Sequence, residues 1–218
     1  MDGSHLEPRT AHSPLSGGGR QWGHRQADDR ANAVIPGLRY VPGYLDAVAH
    51  DRVLDIVSGL GWQDVGGRRI QFYGHWYHHA RGVYSVGDLP DWALALASRL
   101  HQDGLMPCVA DQLIVTEYQP GGGIRPHVDA PVFANVIVGV TLGSTCVMEF
   151  VRVGNPTERV LLEPRSAVVL TGEVRQEWQH AIPARTEDEL EGVTLPRARR
   201  VSLTFRKMLE TGVEASTR

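Results

Sequence analysis

Apolar and polar positions fall into two regimes along the chain, helical at first and alternating later. Ala49, Val53, Ile56, Val57 and Leu60 recur at the three- and four-residue spacing of a single helical stripe. Asp46 stands where a capping side chain is needed and Gly61 stops the run, so a helix is predicted between them. A second helix is predicted from Asp91 to Asp103, with Pro90 before it and Gly104 after it. Trp92, Leu96 and Leu100 form its buried row. After Gly104 the texture changes to short β-branched runs at 113–118, 136–142, 145–153, 159–163 and 167–171. A last run extends from Arg199 to Lys207. Gly143-Ser144, Asn155-Pro156 and Pro164-Arg165-Ser166 supply the breaks. Helices followed by many short strands suggest an α+β fold, with helices buttressing one face of an antiparallel β-sandwich or barrel.

Residues 1–33 are rich in Gly, Ser, His, Arg and Asp and hold almost no apolar density, so a disordered tail is expected there. The remainder, 34–218, is the length of one domain. Apolar residues make up 42% and charged residues 22%, the proportions of a globular protein with an ordinary core. No run reaches the ~18 apolar residues of a membrane span, and the N-terminus lacks the apolar stretch of a signal peptide. A monomer working in the cytoplasm, away from membranes, is expected. Cys108 and Cys146 form no CxxC pair, which argues against a disulfide scaffold or a thiolate zinc site. The net charge of -3 makes no global electrostatic case for nucleic acid, so any such case must be local.

His-x-Asp occurs twice, as His101-Gln102-Asp103 and His127-Val128-Asp129. His101 falls in the last turn of the second predicted helix, where a cation complements the dipole, and reads as structural. His127 and Asp129 follow a glycine-rich loop and lead into extended chain. There, residues i and i+2 point the same way, so imidazole and carboxylate can converge on one ion. His180, opening the short strand His180-Ala181-Ile182-Pro183, suits a third ligand. Two histidines and one carboxylate leave three open positions on an octahedral metal, which fits non-haem Fe(II) oxygen chemistry. On spacing alone, His127 could equally bond a carbonyl, Asp129 cap a turn and His180 pack on Trp178. Strict alternation in Arg200-Val201-Ser202-Leu203-Thr204-Phe205-Arg206 puts Val201, Leu203 and Phe205 on one face and Arg200, Ser202, Thr204 and Arg206 on the other. If that polar face lines a barrel, its two guanidiniums suit a dicarboxylate; if not, it is a solvated edge.

Three strings together are specific. Glu117-Tyr118-Gln119-Pro120-Gly121-Gly122-Gly123-Ile124-Arg125-Pro126-His127-Val128-Asp129 resembles AlkB-type Fe(II)/2-oxoglutarate dioxygenases, as do Arg175-x-x-Trp178-x-His180 and Arg200-x-Ser202-x-Thr204-Phe205-Arg206. The resemblance covers about residues 36–208. It implies a double-stranded β-helix (jelly roll) buttressed by N-terminal helices, with His127, Asp129 and His180 on Fe(II) as the catalytic metal site. It further implies that Arg200 pairs with the distal carboxylate of 2-oxoglutarate, that Tyr118 hydrogen-bonds this co-substrate, and that Arg206 lies near the iron end. Thr116 and Ser202 depart from the family pattern, each exchanging an amide for a shorter hydroxyl that keeps one donor and one acceptor role. The implied chemistry consumes O2 and 2-oxoglutarate, yields succinate and CO2, and hydroxylates a C–H bond. On an N-methyl group the resulting hemiaminal releases formaldehyde.

Between the two helices, Arg68-Arg69-Ile70-Gln71-Phe72-Tyr73-Gly74-His75-Trp76-Tyr77-His78-His79-Ala80-Arg81 interleaves basic and aromatic residues. That composition suits stacking on a base while gripping phosphates, and it falls where the family carries its nucleotide-recognition lid. Tyr73, Trp76 and Tyr77 are the candidates for stacking and Arg68, Arg69 and Arg81 for phosphates. Aromatics in a hairpin packing on their own core is the competing reading. The expected function is DNA or RNA repair-type demethylation of N-alkylated bases in single-stranded nucleic acid. The alternatives are a hydroxylase or demethylase of a protein side chain or small metabolite, and a non-catalytic binding barrel.

Overall fold

The computed structural model describes residues 35–78 and 82–209, so the predicted tail lies outside the described residues. In chain order the first half contains β1 (Leu38–Val41), α1 (Ala47–Gly59), β2 (Gln63–Val65), β3 (Arg68–His78), β4 (Gly82–Gly87) and α2 (Asp91–Gln102). There follow β5 (Gln112–Tyr118), β6 (Ile124–His127), β7 (Phe133–Gly143), β8 (Cys146–Val151), β9 (Glu158–Leu162) and β10 (Ala167–Thr171). A one-turn helix α3 (Gly172–Gln176), then β11 (Gln179–Ile182), β12 (Glu187–Leu190), β13 (Val193–Pro196) and β14 (Arg200–Met208) complete the chain.

The strands form two antiparallel sheets laid face to face, the jelly-roll arrangement, with a separate β12–β13 hairpin. The large sheet runs β1-β10-β7-β14-β5-β3-β2, with β4 paired to β3, and the small one runs β6-β11-β8-β9. Helices α1 and α2 cover the outer face of the large sheet. Leu113, Val115, Val138, Val140, Val201, Leu203 and Phe205 bury themselves there against Val57, Ala93, Leu96 and Leu100. A second core fills the space between the sheets with Ile137, Phe150, Leu162, Leu170, Trp178 and Ile182. The alternation of β14 is therefore used on both sides. Its apolar face seals the helices, and Arg200, Ser202, Thr204 and Arg206 line a cavity between the sheets.

Asp46 caps α1 as its position predicts, Oδ1 accepting from the Ala49 amide at 2.7 Å. The helix ends at Gly59, so Leu60 drops out of the apolar stripe and is exposed, while Leu54 packs on the core instead. Strands β9 and β10, adjacent across Pro164-Arg165-Ser166, belong to different sheets. That turn therefore carries the chain between layers instead of closing a hairpin. His101 is structural, its Nδ1 lying 3.0 Å from the Met106 carbonyl oxygen beyond the end of α2. Among the described residues no helix is long and apolar enough to cross a membrane.

Candidate active site

Antiparallel pairing of β6 with β11 places His127 directly opposite His180. Cross-strand partners on one face are immediate neighbours, so two histidines far apart in sequence meet, with ring centres 4.3 Å apart. Asp129, two residues beyond His127, turns its carboxylate to the same point. One ligand atom from each of the three residues lies within 4.8 Å of the others.

Each side chain is prepared for a cation. Nδ1 of His127 lies 2.8 Å from the Arg125 carbonyl oxygen, a bond that requires the proton on Nδ1 and leaves Nε2 as a lone-pair donor. Burial pushes His180 down to about 4, so its ring is neutral at pH 7, as a ligand must be. Burial alone would raise Asp129. The Arg206 guanidinium, and then the two imidazoles, outweigh that effect and hold the carboxyl at about 2. Arg206 Nη2 donates to Asp129 Oδ1 at 2.6 Å, while Oδ2 is buried with no hydrogen-bond partner and stands 3.6 Å from His180 Nε2. A buried, ionised oxygen without a donor is costly unless something cationic meets it. The residues fit a divalent iron: two neutral imidazoles, one carboxylate and an orphaned oxygen aimed between them.

The loop carrying Asp129 is clamped from the other side. Arg175 of α3, itself buried, donates to the carbonyls of Asp129 at 3.0 Å, Ala130 at 2.9 Å and Phe133 at 3.5 Å. Five residues later the same segment delivers His180, so one short stretch both supplies a ligand and braces the loop that holds another.

A cavity of about 310 Å³ extends from this triad along the inner face of the large sheet. Sheet register arranges its floor in rungs: Ile70, Thr116, Ser202 and Thr141 form one, and Phe72, Ile114, Thr204 and Gly139 the next. Arg206 closes the metal end, with Gln112 Oε1 at 3.3 Å and the Phe133 ring centre 4.9 Å from its Cζ. Tyr118 and Arg200 close the far end. Arg200 is buried without any carboxylate partner, Nη2 donating to Thr141 Oγ1 at 3.0 Å. Burial pushes the Tyr118 phenol up, so it stays protonated and can donate.

The interleaved segment of β3 splits across the two faces of the sheet. Arg68, Trp76 and Tyr77 line the cavity. Tyr73 and Arg69 do not. Tyr73 faces the helices, edge-on to Trp92 with centres 5.8 Å apart, and its hydroxyl donates to Gln71. Arg69 is bound by the buried Glu117, Nη2 to Oε1 at 2.7 Å, and lies over Trp62. Pleating explains both corrections, since successive residues of the strand point to opposite faces up to Gly74, where a register shift precedes Trp76 and Tyr77. Arg81 lies outside the described residues. Gly74 makes the approach of β3 to β5 possible: at φ 77° a Cβ there would sit 1.9 Å from the Asp111 carbonyl oxygen. Phe72 and Phe133 join the lining without having been singled out from sequence. Alternation from Arg68 through Ile70 already pointed to Phe72; Phe133, at the start of a strand beyond the Asp129 loop, gave no such signal. Phe72 lies 5.6 Å from Trp76, and Tyr77 is edge-on to Phe133 at 6.3 Å.

The sequence profile of the 2OG-Fe(II) oxygenase superfamily matches residues 69–206. An uncharacterized protein of Acanthamoeba polyphaga mimivirus is 30% identical over 191 residues, covering 83% of this chain and 89% of its own length. The alkylated DNA repair protein ALKBH8 homolog of Arabidopsis thaliana is 30% identical over 205 residues, covering 80% of this chain. The chain spans 59% of that plant protein's length. Among solved structures, OsALKBH1 superposes with a TM-score of 0.62 at 17% identity, over 80% of this chain and 99% of its own, which shows the same fold.

Proposed function

Because the chain belongs to the 2OG-Fe(II) oxygenase superfamily, as an AlkB-type 2-oxoglutarate-dependent dioxygenase, we propose that it oxidatively demethylates N-alkylated bases in nucleic acid. The observation carrying this reading is the aromatic wall of Phe72, Trp76, Tyr77 and Phe133 in the same cavity as His127, Asp129 and His180. Flat rings around a metal site suit a flat ligand, and bases stack on aromatic faces. A base buried in a duplex cannot reach such a site, so the substrate is single-stranded or flipped out. The plant relative's name, an alkylated DNA repair protein, supports the same class.

Bound Fe(II) with 2-oxoglutarate and O2 supplies the oxidising power, giving succinate, CO2 and a hydroxylated methyl group that leaves as formaldehyde. The protein's own residues do the rest. His127, Asp129 and His180 would hold the metal on one side and leave its other side to co-substrate and oxygen. Arg206 orients the carboxylate, and Arg200 with Tyr118 would hold the far end of the dicarboxylate. Trp76 and Tyr77 would grip the base and keep water from the reacting methyl group.

Oxidation of a protein side chain or small metabolite is the second reading. It gains from Arg69, whose pairing with Glu117 removes one cation from the cavity mouth. Formaldehyde assayed beside succinate on methylated and unmethylated single strands separates the two readings. Equal amounts, on the methylated strand alone, are expected; succinate without formaldehyde on every methylated strand favours the second.

A further inference from the structure

Arg68 opens β3, in the segment that composition offers as a nucleic-acid lid, yet its side chain is turned inward. It lines the cavity together with Tyr118 and Arg200. Register explains why. Arg69 faces Glu117 on β5, and Tyr118 faces Arg200 on β14. One step along the first pairing sets Arg68 beside Tyr118, so Arg68, Tyr118 and Arg200 form a rung across three strands.

The charges on this rung are unbalanced. Asp129 is the one carboxylate among the described residues lining the cavity, and it is held at the opposite end by Arg206. Arg200 is 4% exposed, its Nε buried with no hydrogen-bond partner. Its Cζ lies 5.4 Å from the Tyr118 ring centre. Two guanidiniums thus converge on one phenol, and no protein anion answers them. The nearby hydroxyls of Thr116 and Ser202 are short and uncharged and cannot do so.

The geometry assigns Arg68 to the distal carboxylate of 2-oxoglutarate, as a second cationic donor beside Arg200, and not to a nucleic-acid phosphate. A carboxylate offers about four lone-pair sites, enough for two guanidiniums and the Tyr118 proton together. Arg68 also borders an outer groove with Gly66 and Arg125, so it is only half-buried. This assignment depends on the co-substrate and not on the nucleic-acid reading, so either can fail without the other.

Calorimetric titration of the anaerobic Fe(II)-loaded protein with 2-oxoglutarate, and separately with oxalate, tests it. Oxalate offers a metal a comparable chelating end but has no distal carboxylate. Arg68→Ala is expected to weaken 2-oxoglutarate by about tenfold or more, the cost of a lost charged hydrogen bond, and to leave oxalate unchanged. Arg68→Lys, which keeps the charge but not the fork, falls between. Unchanged 2-oxoglutarate affinity in Arg68→Ala overturns the assignment, and so does an equal loss for both ligands. Weakened binding of a single-stranded oligonucleotide with 2-oxoglutarate unaffected would restore the phosphate role.

Discussion

Arg206 and Asp129 form a buried pair in which one carboxylate oxygen is taken, Nη2 to Oδ1 at 2.6 Å, and the other is left bare toward His180. The pair divides the carboxylate's work: one oxygen fixes its orientation and the second remains for the metal. Residues that orient a ligand commonly matter to metal affinity by 10–100-fold. Arg206→Ala should therefore weaken Fe(II) binding by about that factor, read by anaerobic metal titration. Unaltered affinity would show that Asp129 needs no partner to point correctly.

Arg175 acts one layer further out, through carbonyls instead of ligand atoms. Truncation strands buried acceptors, so Arg175→Ala should lose on the order of 2–3 kcal/mol of stability. Metal affinity should fall as well, because the Asp129 loop is released. A lower melting temperature with unchanged metal affinity would make Arg175 a stability residue only.

Trp76 and Tyr73, three residues apart, face opposite sides of the large sheet. Trp76→Ala should raise KM for a methylated oligonucleotide by the equivalent of about 1–3 kcal/mol of binding, tenfold for each ~1.4 kcal/mol, if the base stacks there. Tyr73→Phe keeps the packing on Trp92 and should leave turnover unchanged. The reverse pattern would place the substrate on the helix side.

Away from the cavity, Asp188 is buried between Arg197, with bonds at 2.6 and 2.7 Å, and the Val147 amide at 2.9 Å. Burial pushes its carboxyl up, but the Arg197 bonds and the amide hold it below the ordinary carboxylate range. With the folded value below the unfolded one, its stabilisation is complete above the unfolded value of about 4 and is lost as pH falls through the folded value. Acid melting of wild type and Asp188→Asn should therefore differ fully above about pH 4 and converge as pH falls below it. A constant difference across that range would show that the pair makes no net ionic contribution.

The faces of β14 were legible because alternation survives over seven residues and the two faces differ in character. The grouping of the candidate metal triad was legible because His127 and Asp129 are close in sequence, and the string leading to His180 is distinctive. What failed in the lid was composition taken without pleat. Arg68 and Arg69 look interchangeable in the sequence, yet one faces the cavity and the other Glu117. The β12–β13 hairpin was illegible for another reason. Glu187, Asp188 and Glu189 carry no apolar signal of a strand, and the Arg197 and Arg185 guanidiniums and the Val147 amide, which make burial of Asp188 tolerable, are weakly marked as its partners in sequence. Arg175 stood out in the string leading to His180, but its work as a clamp did not, because its partners are backbone carbonyls.

The proposed reaction is demethylation of a nucleic-acid base at the His127, Asp129 and His180 site. Its most direct test is the intact mass of a single-stranded oligonucleotide bearing 1-methyladenine, after incubation with the iron-loaded protein, 2-oxoglutarate and oxygen. Loss of one methylene equivalent is predicted, abolished without 2-oxoglutarate and in Asp129→Ala. An unchanged mass, with protein that binds Fe(II) and 2-oxoglutarate normally, would contradict the claim for this base; the same result across methylated DNA and RNA strands would move the substrate outside nucleic acid.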